Sequence, residues 1–421
     1  MRRALRGIAV AALLLARPLA AQAKPVPGAI DSFAQHYVPS PLPGMVVSVA
    51  KGEGPTVFQS FGRIDFDSRS PAAGPDSLWR IYSMTKPLTG IAAMILIEQG
   101  KLKLDQPISD FIPAFKSMCV LDNPAKGLAC HPAQHPITVR NLLTHTAGLG
   151  YDIVTRGPLL DEYKRQGMTA AAFDAPLETR LRGVRPPTLA AFADRLAHMP
   201  LVAEPRTKWS YSFAIDVLGR VIEVASGMPF DRFLQTHIFT PLKMGSTWFT
   251  VPKAQARRLA TNYAFIGDIP LPIDLGESSI WLSPPTFPYG GSGLVSSARD
   301  YDRFLHMLQD GGILDGVRIL KPETVRLAMS NLLPPGADTT MLNMMAEVRV
   351  PLGFGAAGMV YLAEDPNGPG KGTYGWAGAA GTYAWVDPEH QVRGVMMVNY
   401  LGRAMPLRTD VMRAVYSEAG R

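Results

Sequence analysis

A serine and a lysine three residues apart, Ser83 and Lys86, form the pattern in this 421-residue chain best suited to nucleophilic chemistry. Apolar residues at helical spacing predict a helix over residues 84–99, with Gly100 just past its end. Residues i and i+3 of a helix have Cβ atoms about 5–6 Å apart, so the amine can reach the hydroxyl. A buried amine loses stabilisation of its charged form and can then act as a base toward a neighbouring nucleophile.

A second serine–lysine pair with the same spacing, Ser48 and Lys51, lies in a predicted strand, where positions i and i+3 point to opposite faces. Two other hydrolase patterns are missing from the sequence: H-E-x-x-H, and G-x-S-x-G, which residues 290–294 only approach. The pair at Ser83 also fits a serine that caps a helix beside an exposed lysine. A catalytic role therefore needs support from the rest of the chain.

The elements that must position this pair come from distant parts of the chain. Strands are predicted at residues 45–50, 56–62, 353–363, 381–386 and 392–400, and further helices at 141–144, 216–226, 298–309 and 407–418. This order predicts an α/β (α+β) fold with one antiparallel sheet formed by N- and C-terminal segments, flanked by helices. The α/β part would cover about 24–82 and 295–421, and a largely helical inserted subdomain about 83–294. Residues 262–290 are predicted to be irregular.

Residues 1–23 have the pattern of an export signal. A basic start (Arg2, Arg3, Arg6) precedes the apolar residues 7–16, and Ala21-Gln22-Ala23 resembles a cleavage site. The apolar run is too short to span a bilayer, and an uncleaved amphipathic anchor is the alternative. We expect a mature chain of residues 24–421 that is periplasmic or secreted, without stable membrane insertion.

The charge of the chain does not favour a nucleic-acid partner. Residues 1–23 hold four arginines and no acidic residue, so four of the seven net positive charges belong to the predicted export signal. The remaining +3 is ordinary for a globular protein, and a hydrophobic fraction of 47% excludes a disordered chain. No sequence feature indicates an oligomeric state.

The two cysteines, Cys119 and Cys130, leave three alternatives open. An exported protein can form a disulfide between them, two free thiols are the second possibility, and a zinc site with His131 and His135 is the third. The segment lacks a C-x2–4-C pair, which disfavours zinc. No metal and no cofactor are predicted for this chain.

Five segments together resemble the serine β-lactamase and penicillin-binding-protein superfamily, and within it most resemble the class C β-lactamase-like (family VIII) esterases. They are, in order, residues 79–86, 137–150, 209–223, 290–303 and 375–388. The resemblance implies a β-lactamase/transpeptidase-like fold.

The same resemblance implies the roles of individual residues. Ser83 would be the nucleophile, Lys86 its partner and Tyr211 the second base. The backbone N–H groups of Ser83 and Ala379 would form the oxyanion hole, and His145 would have a structural role only.

Two departures from the superfamily pattern concern the substrate. Trp376, Ala377 and Gly378 stand where a Lys or His, a Thr or Ser, and a Gly usually hold a substrate carboxylate. Phe213 stands where an Asn usually follows the second motif's tyrosine by two residues. Both changes replace polar groups by apolar surface, which favours a neutral ester over an anionic lactam or peptide. Trp376, Ala377, Gly378 and Phe213 are therefore the predicted substrate-binding residues, with Tyr289 and Phe287 as further pocket candidates.

The sequence thus predicts an exported serine carboxylesterase that cleaves small neutral esters through an acyl-enzyme on Ser83. A β-lactamase or D-amino-acid peptidase is one alternative, and weak β-lactam hydrolysis is compatible with the shared acylation machinery. An acyltransferase, in which residues 262–290 admit an alcohol and exclude water, is a second. A non-catalytic binding protein on the same fold is a third.

Overall fold

The computed structural model describes residues 28–171, 173–346, 348–366 and 368–418; the predicted export signal, residues 1–23, lies outside the described residues. The strands are β1 (Gly44–Lys51), β2 (Val57–Gly62), β3 (Leu78–Arg80), β4 (Cys119–Leu121), β5 (Cys130–Pro132), β6 (Asn262–Ile266), β7 (Ile269–Asp274), β8 (Val295–Ser297), β9 (Ile313–Leu314), β10 (Val317–Arg318), β11 (Leu352–Phe354), β12 (Met359–Tyr361), β13 (Tyr374–Ala377), β14 (Tyr383–Asp387), β15 (Val392–Met397) and β16 (Tyr400–Leu401). The helices are α1 (Ala29–Tyr37), α2 (Thr85–Glu98), α3 (Val139–Leu143), α4 (Pro158–Arg165), α5 (Ala175–Arg182), α6 (Leu189–Ala197), α7 (Ala214–Ser226), α8 (Phe230–Leu234), α9 (Ala298–Gln309), α10 (Pro322–Ala328), α11 (Thr340–Ala346) and α12 (Leu407–Glu418).

A seven-stranded antiparallel sheet joins the two ends of the chain in the order β11-β12-β13-β14-β15-β1-β2. The central strand β1 pairs Val47 with Met396 of β15 on one side and with Gln59 of β2 on the other. The prediction of one sheet from N- and C-terminal segments is confirmed.

Both faces of this sheet are covered, which explains why β1 and β15 are apolar at nearly every position. Val46 and Val395 point into a core shared with α2, α7 and α9, whereas Val47 and Met396 point into a second core under α1 and α12. Side chains alternate between the faces of a strand, so a strand buried on both sides has no polar face.

Helix α2 lies at the centre of the first core, and this position fixes the site. Twelve of its residues, from Thr85 to Leu96, are buried, and it contacts α7, α8 and α10. Gly90 allows the approach of another segment, because a Cβ at this position would overlap the backbone of Ala356. The helix ends at Glu98, and Gly100 has a φ of +71°, as predicted for the residue after the C-cap.

Three predicted elements differ in the structure. Residues 353–363 form two strands, β11 and β12, instead of one, because the chain turns at residues 355–358, where Ala357 has a φ of +59°. Residues 262–290 are not wholly irregular: β6 and β7 form a hairpin around Gly267, whose φ is +61°. The predicted strand 392–400 ends at Met397, and the chain then enters β16, which pairs with β6 in another sheet.

Cys119 and Cys130 form a disulfide that joins β4 and β5. No group of three or more His, Cys, Asp or Glu side chains is placed to hold a metal ion in the part of the chain that the structure describes. Within these same ranges no helix is long and apolar enough to cross a bilayer.

Candidate active site

Ser83 lies at a sharp turn between β3 and α2. A single turn of 3₁₀ helix, Tyr82–Met84, precedes α2, and Tyr82 has a φ of +39°. A non-glycine residue in this region is strained, and such strain persists only where the surroundings hold it in place. The ring of Tyr82 is held by stacking on Phe173 at 5.1 Å, and its hydroxyl accepts a hydrogen bond from Asn262. Ser83 itself is 8% exposed, at the edge of the core.

Lys86 follows in the first turn of α2 and is fully buried. Its Nζ donates to the Oγ of Ser83 at 3.0 Å and to the carbonyl oxygen of Gly291 at 2.7 Å. The same nitrogen lies 4.5 Å from the ring centre of Tyr211. Lys86 is therefore directed at Ser83 and is not on the protein surface, as the spacing of the two residues predicts.

Tyr211 lies in the extended segment before α7 and completes a three-residue cluster. Its hydroxyl donates to the Oγ of Ser83 at 2.8 Å and accepts from the Nε1 of Trp376 at 3.3 Å. Its ring is buried against Trp209, with ring centres 5.8 Å apart, and against Tyr151 at 5.3 Å. The structure thus brings together the three predicted catalytic residues, which are up to 128 positions apart in the sequence.

Asp216, which the sequence analysis did not single out, holds the segment that binds Lys86. Its Oδ1 accepts from the backbone N–H of Gly291 at 2.9 Å, while the carbonyl of the same residue accepts from Lys86. Thr89 of α2 binds the carbonyl of Gly290 at 2.7 Å. Burial raises the pKa of Asp216 to about 6, and the N–H of Gly291 and the charge of Lys86 partly oppose that rise. An acidic residue on the buried face of α7 was the one sequence signal for this role.

His145 lies beneath Tyr211, with the two ring centres 4.9 Å apart. Its Nδ1 shares a hydrogen bond of 2.9 Å with the Oγ of Ser212, and it is fully buried. Burial, and next the charge of Lys86, hold the pKa of His145 well below its usual range, so the imidazole is neutral. This neutral, packed ring agrees with the structural role that the resemblance implies.

The end of β13 approaches the turn that carries Ser83. A Cβ at Gly378 would overlap the carbonyl oxygen of Ile81, so only glycine permits this approach. The N–H of Gly378 donates to the carbonyl oxygen of Thr382 at 2.8 Å. The assignment of the N–H groups of Ser83 and Ala379 to the oxyanion hole stays a prediction.

The predicted substrate-binding residues occupy different environments. The Nε1 of Trp376 donates to the hydroxyl of Tyr211. Ala377, the last residue of β13, is half-buried, and Ala379, two residues further on, is exposed. Phe213 is fully buried, and its ring lies 4.7 Å from that of Tyr151 and 5.3 Å from that of Phe192. Direct contact of Phe213 with a substrate stays a prediction.

Among the described residues, three cavities contain predicted site residues or candidates, and one of them is lined by Ala377, Gly378 and Ala379 at the end of β13. The Tyr289 cavity contains the candidate Tyr289, whose ring packs on Phe287 at 4.1 Å, and is lined by Ala171, Glu178, Arg182, Arg185, Phe249, Ile280, Trp281, Ser283, Pro285, Tyr289 and Gly293. The Tyr211 cavity is lined by Leu121, Pro124, Ala125, Gly150, Val154, Thr155, Arg156, Gly157, Leu159, Val202, Lys208, Ser210, Tyr211 and Met341.

The fold and the serine–lysine–tyrosine cluster define a class, and comparison with known proteins gives the family. A family model described as Beta-lactamase matches residues 30–416, and the chain belongs to this family. The fold is therefore β-lactamase/transpeptidase-like, as the resemblance implied.

Among curated proteins, the chain is 36% identical to Protein Rv1367c of Mycobacterium tuberculosis over 356 residues, which cover 82% of this chain and 83% of that protein. It is 30% identical to Esterase EstB of Burkholderia gladioli over 400 residues, which cover 89% of this chain and 91% of that protein. A solved structure, that of EstCE1, a hydrolase with promiscuous acyltransferase activity, superposes with a TM-score of 0.74 at 27% identity and covers 92% of this chain and 97% of that one. These similarities support a serine hydrolase or acyltransferase acting on a small molecule.

Proposed function

We propose that this protein is an exported carboxylesterase that cleaves small esters, neutral around the reacting bond, through an acyl-enzyme on Ser83. The observation that carries the proposal is the position of one oxygen: the Oγ of Ser83 lies 3.0 Å from the Nζ of Lys86 and 2.8 Å from the hydroxyl of Tyr211. A hydroxyl held between two groups that can exchange protons is the arrangement of an activated nucleophile.

The first half-reaction transfers the acyl group to the protein. The Oγ of Ser83 forms a bond to the ester carbonyl carbon while the Lys86–Tyr211 pair accepts its proton. The carbonyl oxygen gains charge, and the N–H groups of Ser83 and Ala379 stabilise it; one such donor is worth roughly 3–4 kcal/mol. The bond to the alcohol oxygen then breaks, and Tyr211 delivers the proton to that oxygen.

The second half-reaction repeats these steps with water. Water attacks the acyl carbon and gives a proton to the Lys86–Tyr211 pair, and the pair returns a proton to Ser83 as the carboxylic acid leaves. Trp376 supports both halves because its Nε1 donates to the hydroxyl of Tyr211 and fixes the direction of that group.

The preference for esters rests on the end of β13. Trp376 and Ala377 offer neither a cation nor a hydroxyl for a carboxylate next to the reacting bond. Hydrolysis of p-nitrophenyl butyrate and of the β-lactam nitrocefin at equal protein concentration tests this preference. We expect the ester to have the higher kcat/KM, and a higher value for nitrocefin would contradict it.

Acyl transfer to an alcohol is the second candidate, and the similarity to EstCE1, described as having promiscuous acyltransferase activity, favours it. Both reactions share the acyl-enzyme and differ only in the acceptor. Product analysis with p-nitrophenyl butyrate and added alcohols separates them, because transfer yields a new butyrate ester while hydrolysis yields only butyrate.

Export is proposed from residues 1–23 alone. Expression of the full chain in a Gram-negative host, followed by N-terminal sequencing of the periplasmic protein, tests this. We expect the sequence to begin at Lys24, and an intact N-terminus in the cytoplasm would contradict export.

A further inference from the structure

The Tyr211 cavity is apolar in its walls and positive at two points. Leu121, Leu159 and Met341 supply apolar surface, while Arg156 and Lys208 add two cations. Among the described residues that line this cavity, none is acidic. A cavity with this lining suits a ligand that has an apolar body and a negative group.

Neither cation forms a close ion pair with a carboxylate of the described part of the chain. The guanidinium of Arg156 donates to the backbone carbonyls of Ile153, at 3.2 Å, and Thr155, at 2.9 Å, which hold it in place without cancelling its charge. Asp338 lies beside Lys208, and its carboxylate interacts with the Lys208 charge without a close ion pair, while its Oδ1 accepts two hydrogen bonds from Thr340. Asp338 therefore offsets part of the charge of Lys208, whereas Arg156 binds only backbone carbonyls, and both cations can still attract a bound anion.

The proposed reaction determines which part of the substrate enters this cavity. Tyr211 gives its proton to the alcohol oxygen, so that oxygen must lie next to the hydroxyl of Tyr211. Since Tyr211 is among the residues that line the cavity, the rest of the alcohol can extend into it. Lys208 is three residues before Tyr211 in an extended segment, which spans about 10 Å, so the negative group lies several bonds from the ester oxygen.

We propose that the Tyr211 cavity binds an alcohol that carries a carboxylate, so that the substrates are O-acyl derivatives of hydroxy acids. The inference rests on the proposed function and names the alcohol portion of the substrate. It is compatible with the apolar end of β13, because the carboxylate lies away from the reacting bond.

A matched pair of substrates tests the charge alone: 6-(butanoyloxy)hexanoate and its uncharged analogue 6-(butanoyloxy)hexanamide. The readout is the ratio of kcat/KM for the acid to that for the amide. We expect Lys208→Gln and Arg156→Gln each to lower this ratio at least threefold, and the double variant by on the order of tenfold, the range for one and two partly exposed ion pairs. Lys164→Gln, at an exposed cation of α4 outside the cavity, should leave the ratio unchanged. An unchanged ratio in the double variant would overturn the proposal.

A binding measurement that needs no turnover separates this inference from the proposed function. Calorimetry with Ser83→Ala should show 6-hydroxyhexanoate binding at least threefold more tightly than 6-hydroxyhexanamide, and adding the two cavity substitutions should abolish the difference. Equal binding of acid and amide would overturn the carboxylate site. If acid and amide differ in binding but the unaltered protein turns over no ester, the proposed esterase activity is wrong and the carboxylate site is supported.

Discussion

The Nζ of Lys86 lies 3.0 Å from the Oγ of Ser83, and both side chains are almost completely removed from water. Their closeness follows from the 3₁₀ turn that carries Ser83 and the first turn of α2 that carries Lys86, and α2 is held in the core. A rigid helix therefore fixes the distance between the nucleophile and its partner.

Lys86→Met should abolish most esterase activity, because it keeps an unbranched side chain but removes the nitrogen that accepts the proton. The expected loss in kcat is on the order of 10²–10⁴-fold. Lys51→Met is the matched control: it alters the lysine of the other serine–lysine pair, which is exposed on β1. Rates with p-nitrophenyl butyrate and circular dichroism of both variants provide the measurement. Equal losses in the two variants would contradict a catalytic role for Lys86.

Trp376→Phe should lower kcat by roughly 3–10-fold, the range for one lost hydrogen bond to a reacting group. The substitution retains an aromatic ring against Tyr211 and removes only the Nε1–H that donates to the tyrosine hydroxyl. Trp385→Phe makes the same change on the opposite face of the sheet, and we expect it to affect stability alone. Saturation kinetics of both variants test this. A loss of kcat confined to Trp385→Phe would contradict the role of the Trp376 hydrogen bond.

Gly378→Ala should lower kcat on the order of 10²-fold, comparable to the loss of one oxyanion donor. Its methyl group would overlap the carbonyl oxygen of Ile81 and push the end of β13, with Ala379, away from Ser83. At Gly245 a methyl group would meet no atom within 4 Å, so Gly245→Ala should retain full activity. Full activity in Gly378→Ala with an intact fold would show that the second donor lies elsewhere.

Asp216 should make the stability of the protein depend on pH. Burial raises its pKa from 3.8 to about 6, so the folded state binds this proton more tightly than the unfolded chain. The resulting stabilisation is fully present below the unfolded pKa and is lost as pH rises through the folded pKa. Asp216→Asn cannot ionise at this position. Between about pH 4 and pH 7 the free energy of unfolding of the unaltered protein should therefore fall by up to about 3 kcal/mol relative to that of Asp216→Asn.

Urea unfolding of the two proteins across this pH range provides the measurement. Asp161→Asn, at an exposed position of α4, is the control. Its free energy of unfolding should differ from that of the unaltered protein by the same amount at every pH. If the free energies of unfolding of Asp216→Asn and the unaltered protein change with pH in parallel, Asp216 has an ordinary pKa in the folded state.

The parts of the site that could be predicted from sequence are those set by local geometry. Ser83 and Lys86 are one helical turn apart, so the apolar spacing of α2 was enough to bring them together. Tyr211 was predicted from its resemblance to a family motif and not from its spacing, because its contact with Ser83 depends on how two distant segments pack. The hydrogen bond between Trp376 and Tyr211 was not foreseen, since Trp376 was considered only as a substrate contact.

The features that were missed depend on tertiary packing. Asp216 looks like an ordinary acidic residue in a helix until α7 places it against the backbone of Gly291. Residues 353–363 are apolar throughout, so their pattern did not reveal the turn that separates β11 from β12. The hairpin of β6 and β7 was hidden by prolines at 270 and 272, which are tolerated because β7 is an edge strand.

Trapping the acyl-enzyme tests directly whether Ser83 is the nucleophile. The unaltered protein is mixed with p-nitrophenyl butyrate, quenched in acid within the first turnovers and measured by intact-protein and peptide mass spectrometry. We expect one butyryl group on the peptide that contains Ser83 and none in Ser83→Ala. A butyryl group on another residue, or turnover by Ser83→Ala at the unaltered rate, would contradict it.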